Sequence, residues 1–194
     1  MPIRKLAAFA GLAAIVASGL VAPATVSAEE TRTKVPSFQS STVAGDKIAL
    51  DDLLGKGPIL IDFWATWCKP CIKELPYVQR IADEYADKGL KVLAVTIDTP
   101  RSQSQVKKFV KTRGFTFDVV LDGESDVFRK CQGKGSIPYV VILDSEGFIR
   151  YQHTGYRPGD EKELEHEVVK LLREAGVELE DPAEAAAAEA ENAG

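Results

Sequence analysis

Between Pro58 and Ala65 the sequence runs PILIDFWA, a nearly continuous apolar stretch rich in β-branched and aromatic residues. A strand of that kind must be covered on both faces, which places it inside a sheet with helices packed against it. The residues that follow supply a helix, with Ile72, Leu75, Val78, Ile81, Ala82 and Tyr85 at helical spacing and Gly89 at the end. Pro76 lies within that helix and is expected to kink it near its first turns. KVLAVTI from Lys91 reads as a second buried strand, and SQVKKFVKTRG as a helix with Val106, Phe109 and Val110 on one face and Gly114 as its stop. FTFDVVL is a third strand. SDVFRKCQG is a short helix with Ser125 as N-cap and Val127, Phe128 and Cys131 on its inner side. YVVIL and FIRYQHT, joined by the turn DSEG, make an antiparallel hairpin. Leu164, Val168, Leu171 and Leu172 mark a closing helix over 161–175. Ahead of all this, the turn signal AGD and the alternation from Lys47 to Leu50 predict a short hairpin within residues 36–50. The order predicts an α/β fold: a central mixed β-sheet flanked by helices on both faces, with an N-terminal β-hairpin extension.

The chain has 194 residues, 45% of them hydrophobic and 27% charged. That suffices for one domain with a core of its own, so the three cysteines are not required as staples. The domain is assigned to residues 36–176, with additions at both ends. Arg4 and Lys5 precede an apolar run from Leu6 to Ala22, and Val26-Ser27-Ala28 offers small residues for cleavage. Residues 1–28 therefore read as a secretory signal peptide; an uncleaved membrane anchor is the competing reading for a run so rich in Ala and Gly. Residues 29–35 read as a linker, and 177–194 as an acidic, Ala-rich, disordered tail. The expected location is the periplasm, either soluble after cleavage or anchored at the N-terminus. Loss of Arg4 and Lys5 with the signal leaves 22 Lys+Arg against 29 Asp+Glu, a formal net charge of −7. That balance argues against a nucleic-acid partner and against polybasic docking on a membrane.

The first strand meets the first helix at DFWATWCKPC, residues Asp62 to Cys71. The opening N–H groups of a helix are unpaired and its dipole favours negative charge, so a thiolate at Cys68 is stabilised there. Cys71 follows one turn later, at a separation that a disulfide accepts. Lys69 adds positive charge, and Pro70 is tolerated in a first turn. Two other readings compete. A zinc site needs about four ligands, and only Cys131, His153 and His166 remain, scattered along the chain. A structural disulfide closing so short a loop constrains the unfolded chain very little. Redox exchange ranks above both. Asp62 is an acid in an apolar strand: if buried, its pKa is raised; the competing reading points it at a solvated edge. Cys131, the odd thiol, is expected to pack as a small hydrophobe with Val127 and Phe128. Its alternative is exchange with the main pair or a link between two chains.

FWATWC, then CIKELP with Glu74 and Pro76, and later ILDSEGFIR resemble the thioredoxin superfamily. The likeness is to its exported TlpA/ResA-like branch and spans about Val35 to Ala175. The resemblance implies a thioredoxin-like fold and a thiol-disulfide oxidoreductase. It makes Cys68 the exposed nucleophile, Cys71 the buried resolving thiol and Asp62 the buried acid that helps deprotonate Cys71. Trp67 matches the flanking aromatic, and Ile137-Pro138 the cis-proline loop that binds client backbone; Lys69, Pro70 and Tyr139 border the same surface. Glu74 also matches a family position, yet its helix turn looks exposed and it reads equally as a surface charge. The resemblance further implies no cofactor beyond the Cys68–Cys71 couple, protein disulfides as substrates, a membrane thiol relay as electron donor, a monomer, and frequent service in cytochrome c maturation.

Three departures bear on the client. Tyr139 stands where the family has a small polar residue, Lys134 where an aliphatic is usual, and the acid that often follows the proline in cytochrome-maturation members is missing. Competing functions are a thiol oxidant, a thiol peroxidase and a redox-linked binding or chaperone module. The peroxidase reading is disfavoured because such enzymes place threonine three residues before the reactive cysteine, and Ala65 stands there. His153 and His166 read as strand-end and helix-surface residues.

Overall fold

The structure is a computed structural model that describes residues 32–179; the signal segment 1–28 and residues 180–194 of the tail lie outside the described residues. The described chain forms β1 (Gln39–Thr42), β2 (Lys47–Ala49), β3 (Ile59–Trp64), α1 (Lys69–Tyr85), β4 (Lys91–Thr96), α2 (Gln103–Arg113), β5 (Asp118–Leu121), α3 (Asp126–Lys130), β6 (Tyr139–Leu143), β7 (Ile149–Thr154) and α4 (Asp160–Glu174). The strands make one sheet in the order β2-β1-β5-β4-β3-β6-β7. β3, β4 and β5 run parallel, β6 is antiparallel to both β3 and β7, and β1 is antiparallel to both β2 and β5.

The two parallel crossovers, β3-α1-β4 and β4-α2-β5, step the same way across the sheet, so right-handed connection puts α1 and α2 on one face. Alternation along β3 then sorts the core. Leu60 packs with Val78 and Ile81 of α1 and Leu164, Val168 and Leu172 of α4, while Trp64 joins Leu75 of α1 and Val106 of α2. The odd positions Ile59, Ile61 and Phe63 face the other way, onto Val127 and Phe128 of α3 and Val35 and Phe38. The sheet is therefore mixed and covered by helices on both faces, as expected. All six residues of β3 are buried, which settles its central place. No helix among the described residues is long and apolar enough to cross a membrane.

Several local expectations change. Ser125 does not cap α3: it adopts φ 54° and its side chain caps nothing. The cap comes from Asp122, whose carboxylate accepts the N–H groups of Asp126 (2.8 Å), Val127 (3.1 Å) and Phe128 (2.9 Å). Pro76 does lie inside α1, where the sequence placed it. Phe115 and Phe117 precede β5 rather than belong to it. The domain also begins before residue 36: Val35 donates to Gly147 O and Ile149 to Thr33 O, each at 2.9 Å, and Val35 is buried. At the other end, Val177 and Leu179 pack against the cluster around α4.

Candidate active site

Cys68 and Cys71 are joined by a disulfide, with their Cα atoms 5.3 Å apart. Cys68 is the N-cap of α1: its Sγ accepts the Cys71 N–H at 3.2 Å, and its carbonyl accepts the Ile72 N–H at 3.0 Å. The helix start thus aims a backbone donor at this sulfur, where a thiolate would sit once the bond opens. Cys71 is fully buried, as expected of the resolving thiol, whereas Cys68 is more covered than expected and keeps 5% of its surface. The asymmetry still puts Cys68 outermost. Beside it Trp67, Lys69 and Pro70 are exposed, Trp67 at 66%.

Asp62 lies on β3, the strand that leads into the thiol turn, between Ala94 of β4 and Val140 of β6. It is fully buried, and neither carboxylate oxygen has a hydrogen-bond partner. That removes the solvated-edge reading. Burial pushes its pKa up to about 7. Glu74, one turn after Cys71, is not the surface charge that its helix turn suggested: it is buried, and its Oε2 is unpartnered. The buried side of α1 takes Cys71, Glu74, Leu75 and Val78, and Glu74 falls inside that stripe. Its pKa is pushed up to about 9, first by burial, then by the charge of Asp62, and after that by Asp160 and Glu161. Two buried carboxyls, near enough for the charge of one to act on the other, therefore stand on the strand and helix that flank the thiol turn.

The turn before Cys68 is held by a residue that the sequence reading missed. Asp98, buried just after β4, accepts the Thr66 N–H (2.8 Å) and the hydroxyls of Thr66 (2.7 Å) and Thr96 (2.8 Å). Ile97 N–H adds a 3.0 Å bond to Trp64 O. An acid directly after a buried strand, as in TIDTP, was the available signal.

The Ile137–Pro138 peptide is cis. Ile137 packs against the cluster that contains Cys68 and Cys71, which sets the loop beside the disulfide. Pro138 O accepts the Gly155 N–H at 2.8 Å, joining this loop to the one after β7. Tyr139 turns away from the surface, contrary to its expected client contact. It is buried, its hydroxyl donates to Cys131 O (2.8 Å) and reaches Gln152 Oε1 (3.1 Å), and its ring packs on Phe63 and Phe128. Cys131 is fully buried in the same cluster, and burial, with the Asp122 charge second, pushes its thiol up to about 12. A thiol so placed packs as a small hydrophobe with Val127 and Phe128, the first of its two expected readings. His153 Nε2 lies 3.4 Å from Asp160, and His166 sits on α4.

The chain matches the family model described as AhpC/TSA over residues 31–152. It is 34% identical over 130 residues to the thiol-disulfide oxidoreductase ResA of Bacillus thuringiensis (strain Al Hakam), covering 67% of this chain and 73% of that one. It is 38% identical over 123 residues to the thioredoxin-like protein YneN of Bacillus subtilis (strain 168), covering 63% and 70%. Among solved structures, it resembles a thiol:disulfide interchange protein of the thioredoxin family from Chlorobium tepidum TLS, with TM-score 0.65 and 25% identity over 75% of this chain and 99% of that one. The strand-to-helix disulfide, the cis-proline loop beside it and these likenesses converge: the chain belongs to the AhpC/TSA family, as a thioredoxin-like thiol-disulfide oxidoreductase of the ResA type.

Proposed function

We propose that this protein reduces disulfides of client proteins in the periplasm, with Cys68 as nucleophile and Cys71 as resolving thiol. The observation that carries the reading is the Cys71 N–H aimed at Cys68 Sγ at the helix start, with Asp62 buried on the strand that leads into it. The Cys68 thiolate attacks one client sulfur, the client disulfide breaks, and its other sulfur leaves as a thiolate that takes up a proton. Asp62, ionised, removes the proton from Cys71. The Cys71 thiolate attacks Cys68 Sγ, closes the Cys68–Cys71 bond and releases the second client thiolate. Two electrons have passed to the client, and a membrane thiol relay returns them. Ile137 and Pro138 bind client backbone beside the reacting sulfurs, with Trp67, Lys69 and Pro70 at the rim; no cofactor beyond the thiol couple takes part, and the protein acts as a monomer. Ile137 before the cis-proline favours the reducing direction through its resemblance to reducing thioredoxins. Service in cytochrome c maturation belongs to the same reading as one client class.

Reduction of insulin disulfides by the wild type, abolished in Cys68→Ala, is the expected result; turnover that survives Cys68→Ala overturns the assignment. Equilibration of the couple with a dithiothreitol buffer tests direction: a potential near about −270 mV supports a reductase and one near about −120 mV an oxidant.

A further inference from the structure

Trp67 and Tyr77 are the large hydrophobic side chains left exposed among the described residues, at 66% and 38%. They bracket one strip of surface. It starts at the Cys68 turn and runs down the first turns of α1 over Lys69, Pro70, Lys73 and Pro76, all exposed. Tyr77 meets the ring of Tyr156 at 6.1 Å. Tyr156 follows Gly155, which is bonded to Pro138 O, so the far end of the strip is tied to the cis-proline loop.

The charge on this side runs against that of the whole chain, whose formal net charge is −5. The segments FWATWCKPCIK and CQGKGSIPYV carry Lys69, Lys73 and Lys134 and no acid, and all three lysines are exposed. The flanking acids Asp62, Glu74 and Asp98 are buried. On the Tyr156 side the acids are engaged within their own loop. Glu161 accepts Tyr156 OH (3.0 Å) and Gly159 N–H (2.9 Å); Asp160 accepts Arg157 N–H (2.7 Å) and faces His153. From Cys68 to Tyr77 the helix rises about 13 Å, the reach of about four extended residues.

We propose that the strip from Trp67 through Lys69 and Lys73 to Tyr77 docks an acidic, extended segment of the client, with an apolar residue about four positions from the reacting cysteine covering Tyr77. This rests on the proposed reduction of client disulfides at Cys68 and adds which clients are preferred. Lysines at such a rim act chiefly on encounter, and the aromatic end supplies the buried anchor.

The test uses two disulfide-bridged peptides, with Asp-Glu-Asp-Phe or Lys-Lys-Lys-Ser on either side of the cysteine, and the neutral hydroxyethyl disulfide, all with dithiothreitol as reductant. Wild type is expected to show a KM for the acidic peptide at least about five-fold below that for the basic one, a gap that narrows with added salt. Tyr77→Ala should raise the acidic-peptide KM about five-fold. Lys73→Glu should close the gap by charge alone without disturbing the Tyr77–Tyr156 contact. Both variants should turn over hydroxyethyl disulfide as wild type does. Equal KM values for the two peptides in wild type overturn the docking strip, as does an equal loss on peptides and hydroxyethyl disulfide. Absence of wild-type turnover on all three substrates overturns instead the reductase reading beneath it.

Discussion

At the scale of single residues, Asp62 carries its charge at a cost that depends on pH. Its folded pKa, about 7, lies above the ordinary value of 3.8, so the folded state binds more protons than the unfolded one between those values. Stability contributed by the neutral acid is full below about pH 4 and is lost as pH rises through about 7. The stability of wild type relative to Asp62→Asn should accordingly fall across that window, by on the order of 3 kcal/mol, as denaturant titrations at pH 4 and pH 8 would measure. The same variant should slow release of client from the Cys68 mixed disulfide by about ten-fold or more, read by quenched-flow mass spectrometry. A resolution rate unchanged across pH 5–8 would remove Asp62 from proton transfer. Cys131 gives a second residue-scale expectation: in the reduced native protein, iodoacetamide should modify Cys68 and leave Cys131 until the protein is unfolded. Asp62 was partly legible: its strand is apolar on both sides, which favours the interior, but alternation left a solvated edge open until burial closed it. Glu74 was not, because its character alone suggested water; only the stripe of Cys71, Leu75 and Val78 reveals that it faces inward. Tyr139 was misplaced for the converse reason: proximity to Pro138 in sequence says nothing of which side of β6 the ring takes.

At the scale of elements, short polar clamps hold the loops that the hydrophobic pattern leaves undetermined. Asp98 pins the turn that ends at Cys68 through three short bonds. Asp98→Ala strips the Thr66 N–H and two hydroxyls of their acceptor and should destabilise the protein by about 2 kcal/mol. Thermal melts measure that loss, and restoration of most of it in Asp98→Asn would identify the bonds as its source. The strands and helices themselves followed from periodicity, since β3, α1, β4, α2 and α4 each carry an unambiguous apolar pattern. Caps resisted the same reading. Ser125 stood in the position a cap should occupy, but it adopts φ 54° and makes no side-chain cap bond, and Asp122, three residues earlier, accepts the N–H groups of the first turn.

At the scale of the whole molecule, the fold closes on itself through a strap that the sequence assigned to a linker. Val35 bonds to Gly147 in the turn after β6 and Thr33 to Ile149 at the start of β7, and Val35 enters the core. A chain beginning at residue 37 should therefore lose about 2–3 kcal/mol relative to one beginning at residue 31, as urea unfolding would show; equal midpoints would make the strap ornamental. The sheet order was not legible from the alternation of elements alone, because β1 and β2 join an edge far from β3 by pairing with β5, a long-range choice with no local signature. The antiparallel match of Phe63 with Tyr139 has a further outcome. The end of β3 and the beginning of β6 leave the sheet at the same rim, so the thiol turn and residues 131–137 meet there while standing some sixty positions apart in the chain. The exposed residues Gln132 and Lys134 to Ser136 can therefore change in sequence while the thiol turn is inherited unaltered, which makes this rim a natural seam for grafting.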